Sequence, residues 1–257
     1  MREDDSSRPP RRSLISPTRR KVVGSVGAGL ASGLLFGRAE AAPAAGPLAV
    51  PAWTTQPGEP TDWHPYGVPS EFEKDVVRRF SQPPRMPGSA WTLTPLADLF
   101  GTITPSGLIY ERHHAGIPQI APEQHRLVIH GRVRRSLELT MDDLVRYPSV
   151  TRTHFLECSG NTASEWKGAS GLPVQMTHGL LSCAEWTGVT LATLLDEVGV
   201  QEGKWLLAEG ADAAAMTRSL PVDRILENAI VVYAQNGERL RPENGYPLRL
   251  LVPGFDR

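Results

Sequence analysis

Cysteine is almost missing from this chain: two thiols in 257 residues exclude a disulfide-stapled scaffold. An excess of one charge is missing too. The 27 Lys+Arg and 28 Asp+Glu leave a net charge of -1, which argues against an electrostatic partner such as nucleic acid. Aromatic residues make up only 7%. No internal repeat, no G-x-S-x-G nucleophile elbow and no C-x-x-C-H haem-attachment site occurs, so the chain is expected to carry no haem of its own. Glycine and proline are abundant instead, at 24 and 23 residues, which predicts a loop-rich fold and excludes a helix bundle. The length allows one or two domains with a substantial core.

Charge is unevenly placed. Residues 1–41 hold eight basic and four acidic side chains, a net +4, and leave the remainder at -5. Within them, Ser16-Pro17-Thr18-Arg19-Arg20-Lys21 precedes a weakly apolar, Gly-containing run from Val22 to Phe36, then Ala39-Glu40-Ala41. A basic segment, a short apolar segment and an A-x-A site describe an export signal, and the adjacent arginines with a weak apolar run favour the twin-arginine (Tat) route. The apolar run is shorter than the ~20 residues needed to span hydrocarbon, so a stable membrane anchor is not expected. This reading places a Tat signal peptide at 1–41 and the mature protein in the periplasm.

Residues 42–89 read as an extended N-terminal arm, with Trp53, Trp63, Tyr66, Phe72 and Phe80 available to tack it to a globular body. From 90 onward the pattern is α+β. Leu93–Phe100 reads as a short helix and Arg126–Gly131 as a strand. Thr140 caps a short helix ending before Pro148, with Asp142 and Asp143 in its first turn. Val150–Leu156 alternates as a strand does and delivers Glu157-Cys158 to a turn at Ser159-Gly160-Asn161. Leu191–Val198 is an amphipathic helix closed by Gly199. Trp205–Ala208, Ile230–Ala234 and Leu248–Val252 are strand candidates, with a turn at Asn236-Gly237.

His154 and Cys158, with His178 and Cys183, invite a zinc reading. The spacing is poor for it, because residues four apart on a strand lie about 13 Å from each other. A Cys158–Cys183 disulfide is an alternative in an oxidising compartment. Cys183 reads as an inert buried thiol. Cys158 leaves a strand into a polar turn, where a thiol is placed as a ligand or nucleophile, and soft thiolates suit soft or high-valent metals. Arg112-His113-His114, ahead of Gly116-Ile117-Pro118, reads as a solvated loop or as a cradle for an anion.

The stretch Tyr110-Glu111-Arg112-His113-His114-Ala115-Gly116-Ile117-Pro118 is similar to the opening motif of the sulfite oxidase family of molybdenum enzymes. His154-Phe155-Leu156-Glu157-Cys158-Ser159-Gly160-Asn161 resembles that family's metal-cysteine segment. Ser182–Val189, Ala208–Ala213, Tyr233–Glu238 and Gly245–Arg249 follow in the family's order, and within it the likeness is strongest to the molybdenum subunits of Sox-type sulfane dehydrogenases. The resemblance implies a molybdopterin-binding domain over 90–257, built of mixed β-sheets with short helices. It implies Cys158 as the molybdenum ligand, with Arg112 facing a substrate anion and His114 beside it. Tyr110, Glu111, Arg112, His113, His114, Asp212, Asn244 and Arg249 would then bind the cofactor, Arg249 at the pterin phosphate.

Two departures shape the functional expectation. Sulfite oxidases carry an arginine five residues after the metal cysteine, where this chain has Ala163. Where the family often has histidine before the Gly245 motif, this chain has Asn244. The family pattern also continues beyond Arg257 into an Ig-like dimerisation domain, so the domain is expected to be incomplete at its C-terminus. The implied activity is oxidation of reduced sulfur, sulfane sulfur on a carrier protein, with a c-type cytochrome as electron acceptor. The alternatives are a direct sulfite dehydrogenase, an oxidised-methionine reductase of the same fold, and an inactive, cofactor-free remnant.

Overall fold

The computed structural model describes Gly67, residues 69–80 and residues 88–254. The chain divides into two units, Met1–Pro60 and Thr61–Arg257. The first unit, with the expected export signal, lies outside the described residues, as do Trp53, Trp63 and Tyr66 of the arm. Among the described residues, no helix is long and apolar enough to cross a membrane.

The architecture is α+β: small antiparallel sheets joined by loops and short helices. β1 (Arg79–Phe80), β2 (Ala90–Leu93) and β3 (Arg112–His113) form a three-stranded sheet, so part of the arm is paired into the body. Phe72 does not act as a tack, since it is 87% exposed. Two-stranded ribbons come from β4 (Leu127–Ile129) with β5 (Leu137–Leu139), and from β8 (Trp205–Glu209) with β9 (Thr217–Pro221).

The central sheet holds β6 (Ser149–Glu157), β7 (Leu181–Thr190), β10 (Ile230–Gln235), β11 (Glu238–Arg239) and β12 (Arg249–Leu251). Its order is β11-β10-β7-β6, with β12 also on β10. β7 and β10 are covered on both faces. Ala184, Trp186, Ile230 and Val232 join Ile109, Leu240 and Leu251 on one side; Val189 and Val231 join the second cluster on the other. That second cluster is built on α1 (Met141–Leu144) and α3 (Leu191–Val198), whose Leu144, Leu191, Leu194, Leu195 and Val198 are buried. Each such side chain contributes about 1.5–3 kcal/mol of burial. Gly188 is required where β7 meets β10: a Cβ there would lie 2.1 Å from the Val231 carbonyl oxygen.

Local signals in the sequence explain most ends. Thr140 and Asp143 form a reciprocal capping box on α1. Gly199 closes α3 in the left-handed conformation at φ 64°. Asn236 and Gly237, at φ 47° and 77°, make the two-residue loop between β10 and β11. The helix expected over Leu93–Phe100 is absent. β2 ends at Leu93 and only a single 3-10 turn, Leu96–Asp98, follows Pro95. Proline disfavours helix at the residue before it and removes a donor, so Thr94 closes the strand instead. Two more short helices, α2 (Val174–His178) and α4 (Val222–Ile225), complete the α-helices among the described residues.

Candidate active site

β6 is the sheet edge among the described strands and ends one residue before Cys158. The turn after it is held by backbone contacts. The Cys158 N–H donates to the Leu180 carbonyl at 3.1 Å, the Asn161 N–H to the Cys158 carbonyl at 2.8 Å, and the Thr162 N–H to the Thr177 carbonyl at 2.8 Å. Asn161 is the buried clamp: its Nδ2 donates to Glu157 Oε1 at 2.9 Å and its Oδ1 accepts from the Leu180 N–H at 3.1 Å. Cys158 is half-buried with a free thiol, and the Gly160 N–H points at its Sγ at 3.4 Å. Such a donor suits a metal-bound sulfur.

Cys183 is the inert thiol of the sequence reading: 4% exposed and free, with burial pushing its pKa up. The two cysteines do not form a disulfide. Among the described residues, no group of three or more His, Cys, Asp or Glu side chains could hold a metal ion, so the zinc reading of His154, Cys158, His178 and Cys183 has no support.

Tyr110 and Arg249 lie within electrostatic reach of each other. The Tyr110 phenol is 6% exposed; burial raises its pKa strongly, Cys158 and Glu157 raise it further, and Arg249 opposes them. Arg249 keeps some accessible surface, yet desolvation lowers its pKa, with Tyr110 acting the other way. Its Nη1 donates to the Asn244 carbonyl at 2.8 Å, and no carboxylate among the described residues forms an ion pair with it. A desolvated guanidinium with no counter-ion is a receptor for an anion. Gly245, at φ 106°, makes room for it: a Cβ there would press on the Arg249 side chain at 3.2 Å.

A second polar group lines up behind Trp91. Arg112 lies over the Trp91 ring at 5.7 Å and donates through Nη1 to the Ala90 carbonyl at 3.4 Å and to the His113 carbonyl. His114 is exposed. Its pKa is lowered by desolvation, then by Arg112 and Arg218, and Asp212 partly offsets this. Asp212, far away in sequence, is thereby brought into the field of His114.

Glu111 and His113 are buried and bonded to each other. Glu111 pairs with Arg78 and accepts from His113 Nε2 at 2.9 Å. Arg78 also reaches Glu243 at 3.3 Å. Burial alone would raise the Glu111 pKa, but the His113 hydrogen bond and Arg78 bring it below the ordinary value. The Asn244 side chain is likewise turned inward, its Oδ1 accepting from Gln235 Nε2 at 3.0 Å. Sequence reasoning missed Arg78, Arg218 and Gln235. Only Gln235 stands inside a quoted motif, and nothing local marks the other two.

The residues fit an anionic, metal-carrying cofactor. Cys158 offers one soft ligand, and among the described residues Arg249 has no counter-ion and the buried Gln235 Oε1 has no hydrogen-bond partner. The comparisons with known proteins agree. A family model described as oxidoreductase molybdopterin binding domain matches residues 114–256. NADH nitrate reductase of Ulva prolifera is 33% identical over 181 residues, covering 63% of this chain and 21% of its own. Sulfite oxidase of Gallus gallus is 32% identical over 195 residues, covering 67% of this chain and 42% of its own. The crystal structure of the sulfane dehydrogenase SoxCD from Paracoccus pantotrophus contains a chain that superposes with TM-score 0.75 at 43% identity, covering 80% of this chain and 53% of that one. The present chain therefore spans about a fifth to two fifths of these curated relatives and about half of the solved one.

Proposed function

Since this chain belongs to the oxidoreductase molybdopterin-binding domain family, as a member of its sulfite oxidase type, we propose that it is a molybdopterin-dependent oxidoreductase of reduced sulfur. Its substrate is sulfane sulfur held on a carrier protein, and its electrons pass to a c-type cytochrome. The observation that carries this reading is the half-buried Cys158 thiol at the end of β6, which acts on the buried Tyr110 phenol, as does the desolvated Arg249, a guanidinium with no ion pair among the described residues.

In this reading Cys158 holds the molybdenum and Arg249 holds the cofactor's phosphate. The bound cofactor supplies two-electron redox chemistry at sulfur. The chain's own part is to bind and orient. Arg112, anchored on Trp91 and two backbone carbonyls, presents fixed positive charge, and His114, Asp212 and Arg218 share its rim. The 43% identity to a sulfane dehydrogenase chain supports the choice of a carrier-bound substrate over free sulfite. So does Ala163, whose small exposed side chain opens the 3-10 turn after Cys158 and adds no charge for a free dianion. Delivery by the Tat route to the periplasm rests on the Arg19-Arg20 pair and Ala39-Glu40-Ala41.

The test is a pair of measurements on the full chain. Molybdenum and pterin are counted per chain, and cytochrome c reduction is followed with free sulfite and with a persulfidated carrier protein. One molybdenum per chain and a preference for the carrier are expected. Absence of both metal and pterin overturns the reading, and efficient use of free sulfite moves it to sulfite dehydrogenase. Export is tested by fusing residues 1–45 to a reporter that needs folded transport. Arg19→Lys with Arg20→Lys should retain it in the cytoplasm.

A further inference from the structure

We propose that Gln235 is a positioning residue for the anion site at Arg249: it locks Asn244, whose backbone carbonyl aims the guanidinium. The inference rests on the assignment of Arg249 to an anion and adds a residue that touches neither cofactor nor substrate.

The geometry runs along one strand. β10 pairs its Val232 with Arg249 of β12 and carries Gln235 three residues further on. The same strand thus fixes where Arg249 starts and where its acceptor is held. Gln235 is fully buried and donates from Nε2 to Asn244 Oδ1 at 3.0 Å; Asn244 is 1% exposed. Asn244 ends the 3-10 turn Pro242–Asn244, and its carbonyl accepts from Arg249 Nη1 at 2.8 Å. The turn's backbone is held by the Asn244 N–H on the Arg241 carbonyl at 2.9 Å and the Gly245 N–H on the Pro242 carbonyl at 3.3 Å; the Gln235 contact adds the side-chain restraint on Asn244 itself, next to a glycine in the left-handed region.

The hairpin that presents Gln235 is itself pinned. Asn236 Nδ2 donates to the Thr104 carbonyl at 2.9 Å and to Ser106 Oγ at 3.2 Å, while its Oδ1 accepts from the Glu185 N–H at 2.9 Å. Gln235 therefore has a rigid base from which to hold Asn244. A pair of amides that is wholly buried, with Gln235 Oε1 left without a partner, is a poor choice for packing alone. It is a good choice where the carbonyl of one partner must stay in place.

The experiment is a double-mutant cycle read by binding. Gln235→Met keeps the volume and removes the donor. Arg249→Met removes the guanidinium. Pterin retained per chain is measured on the full chain, the two single variants and the double variant as isolated, and inorganic phosphate is then titrated calorimetrically into the same four proteins after the pterin has been removed, so that the site at Arg249 is open. Gln235→Met should weaken phosphate binding about tenfold when Arg249 is present and not at all when Arg249 is Met, which is non-additivity through a shared group. A general structural role would give additive losses. Additive losses, unchanged affinity in Gln235→Met, or no phosphate binding by the parent chain each overturn the inference. If Gln235→Met fails to fold, Gln235→Glu serves: protonated it donates to Asn244 and ionised it cannot, so phosphate affinity should fall as pH rises, and a flat profile overturns the proposal. Phosphate binding by a parent chain that retains no pterin would refute the molybdopterin reading and leave this inference standing.

Discussion

Replacing Arg78 with Leu tests the charge network behind the site. Arg78 comes from the segment just before β1 and pairs with Glu111, beside Arg112, and with Glu243, beside Asn244. The side chains are 25%, 10% and 14% exposed. Removing one partner of a buried ion pair costs about 3–5 kcal/mol, because the other charge is left desolvated. A quarter of Arg78 is exposed, and His113 Nε2 still donates to Glu111, so the smaller figure of about 2–3 kcal/mol applies here. In a body of this size that is a loss of about 5–10 °C in Tm. The pH dependence follows from Glu111, whose pKa is lower folded than unfolded. Its contribution is present above the ordinary carboxylate range and is lost as pH falls through the folded value. Thermal melts of the parent and Arg78→Leu chains should therefore differ most near pH 7 and converge on acidification, with Arg78→Lys in between. A gap under about 0.5 kcal/mol at pH 7, the value of an ordinary surface change, refutes the argument. A gap that widens with acid refutes it too.

Cys158→Ser should leave the melt nearly unchanged, because the turn is held by backbone and Asn161 contacts, while metal analysis shows molybdenum lost. Gly188→Ala should be among the most damaging small substitutions, above about 3 kcal/mol, because its Cβ meets the Val231 backbone; soluble yield and a denaturant melt report it. Ala163→Arg should improve free-sulfite affinity by roughly 10- to 150-fold, the value of one charge-assisted pair, and should harm a carrier-bound substrate. Steady-state KM for both substrates decides it, and no gain with sulfite would refute the role given to position 163.

What was legible in the sequence were features whose cause is local. The Thr140 cap, the Gly199 stop, the Asn236-Gly237 turn and the alternation of β6 each depend on a few neighbouring residues, and each is found within a residue or two of its expected place. β7 was quoted only as a motif, because burial of Ser182, Cys183, Ala184, Trp186 and Val189 on both faces erases the period of two that marks a half-exposed strand. β9 was invisible for the opposite reason: Thr217, Arg218 and Ser219 are all exposed and carry no apolar pattern.

The site divides along the same line. Cys158 was readable because a strand and a polar turn adjoin it in sequence. The partners of Glu111 could not be read locally, since one of them is Arg78, which also reaches Glu243 across 165 positions of chain. Asn244 shows why this matters for chemistry. A local reading treats its side chain as a cofactor contact. In the folded chain its Oδ1 accepts from Gln235 and its backbone carbonyl accepts from Arg249. The consequence is that substitutions at 235 and 244 should be read as changes in where a guanidinium points. A histidine at 244 would add a donor at the cost of the lock, so the loss of that donor here and the buried amide pair are two sides of one arrangement.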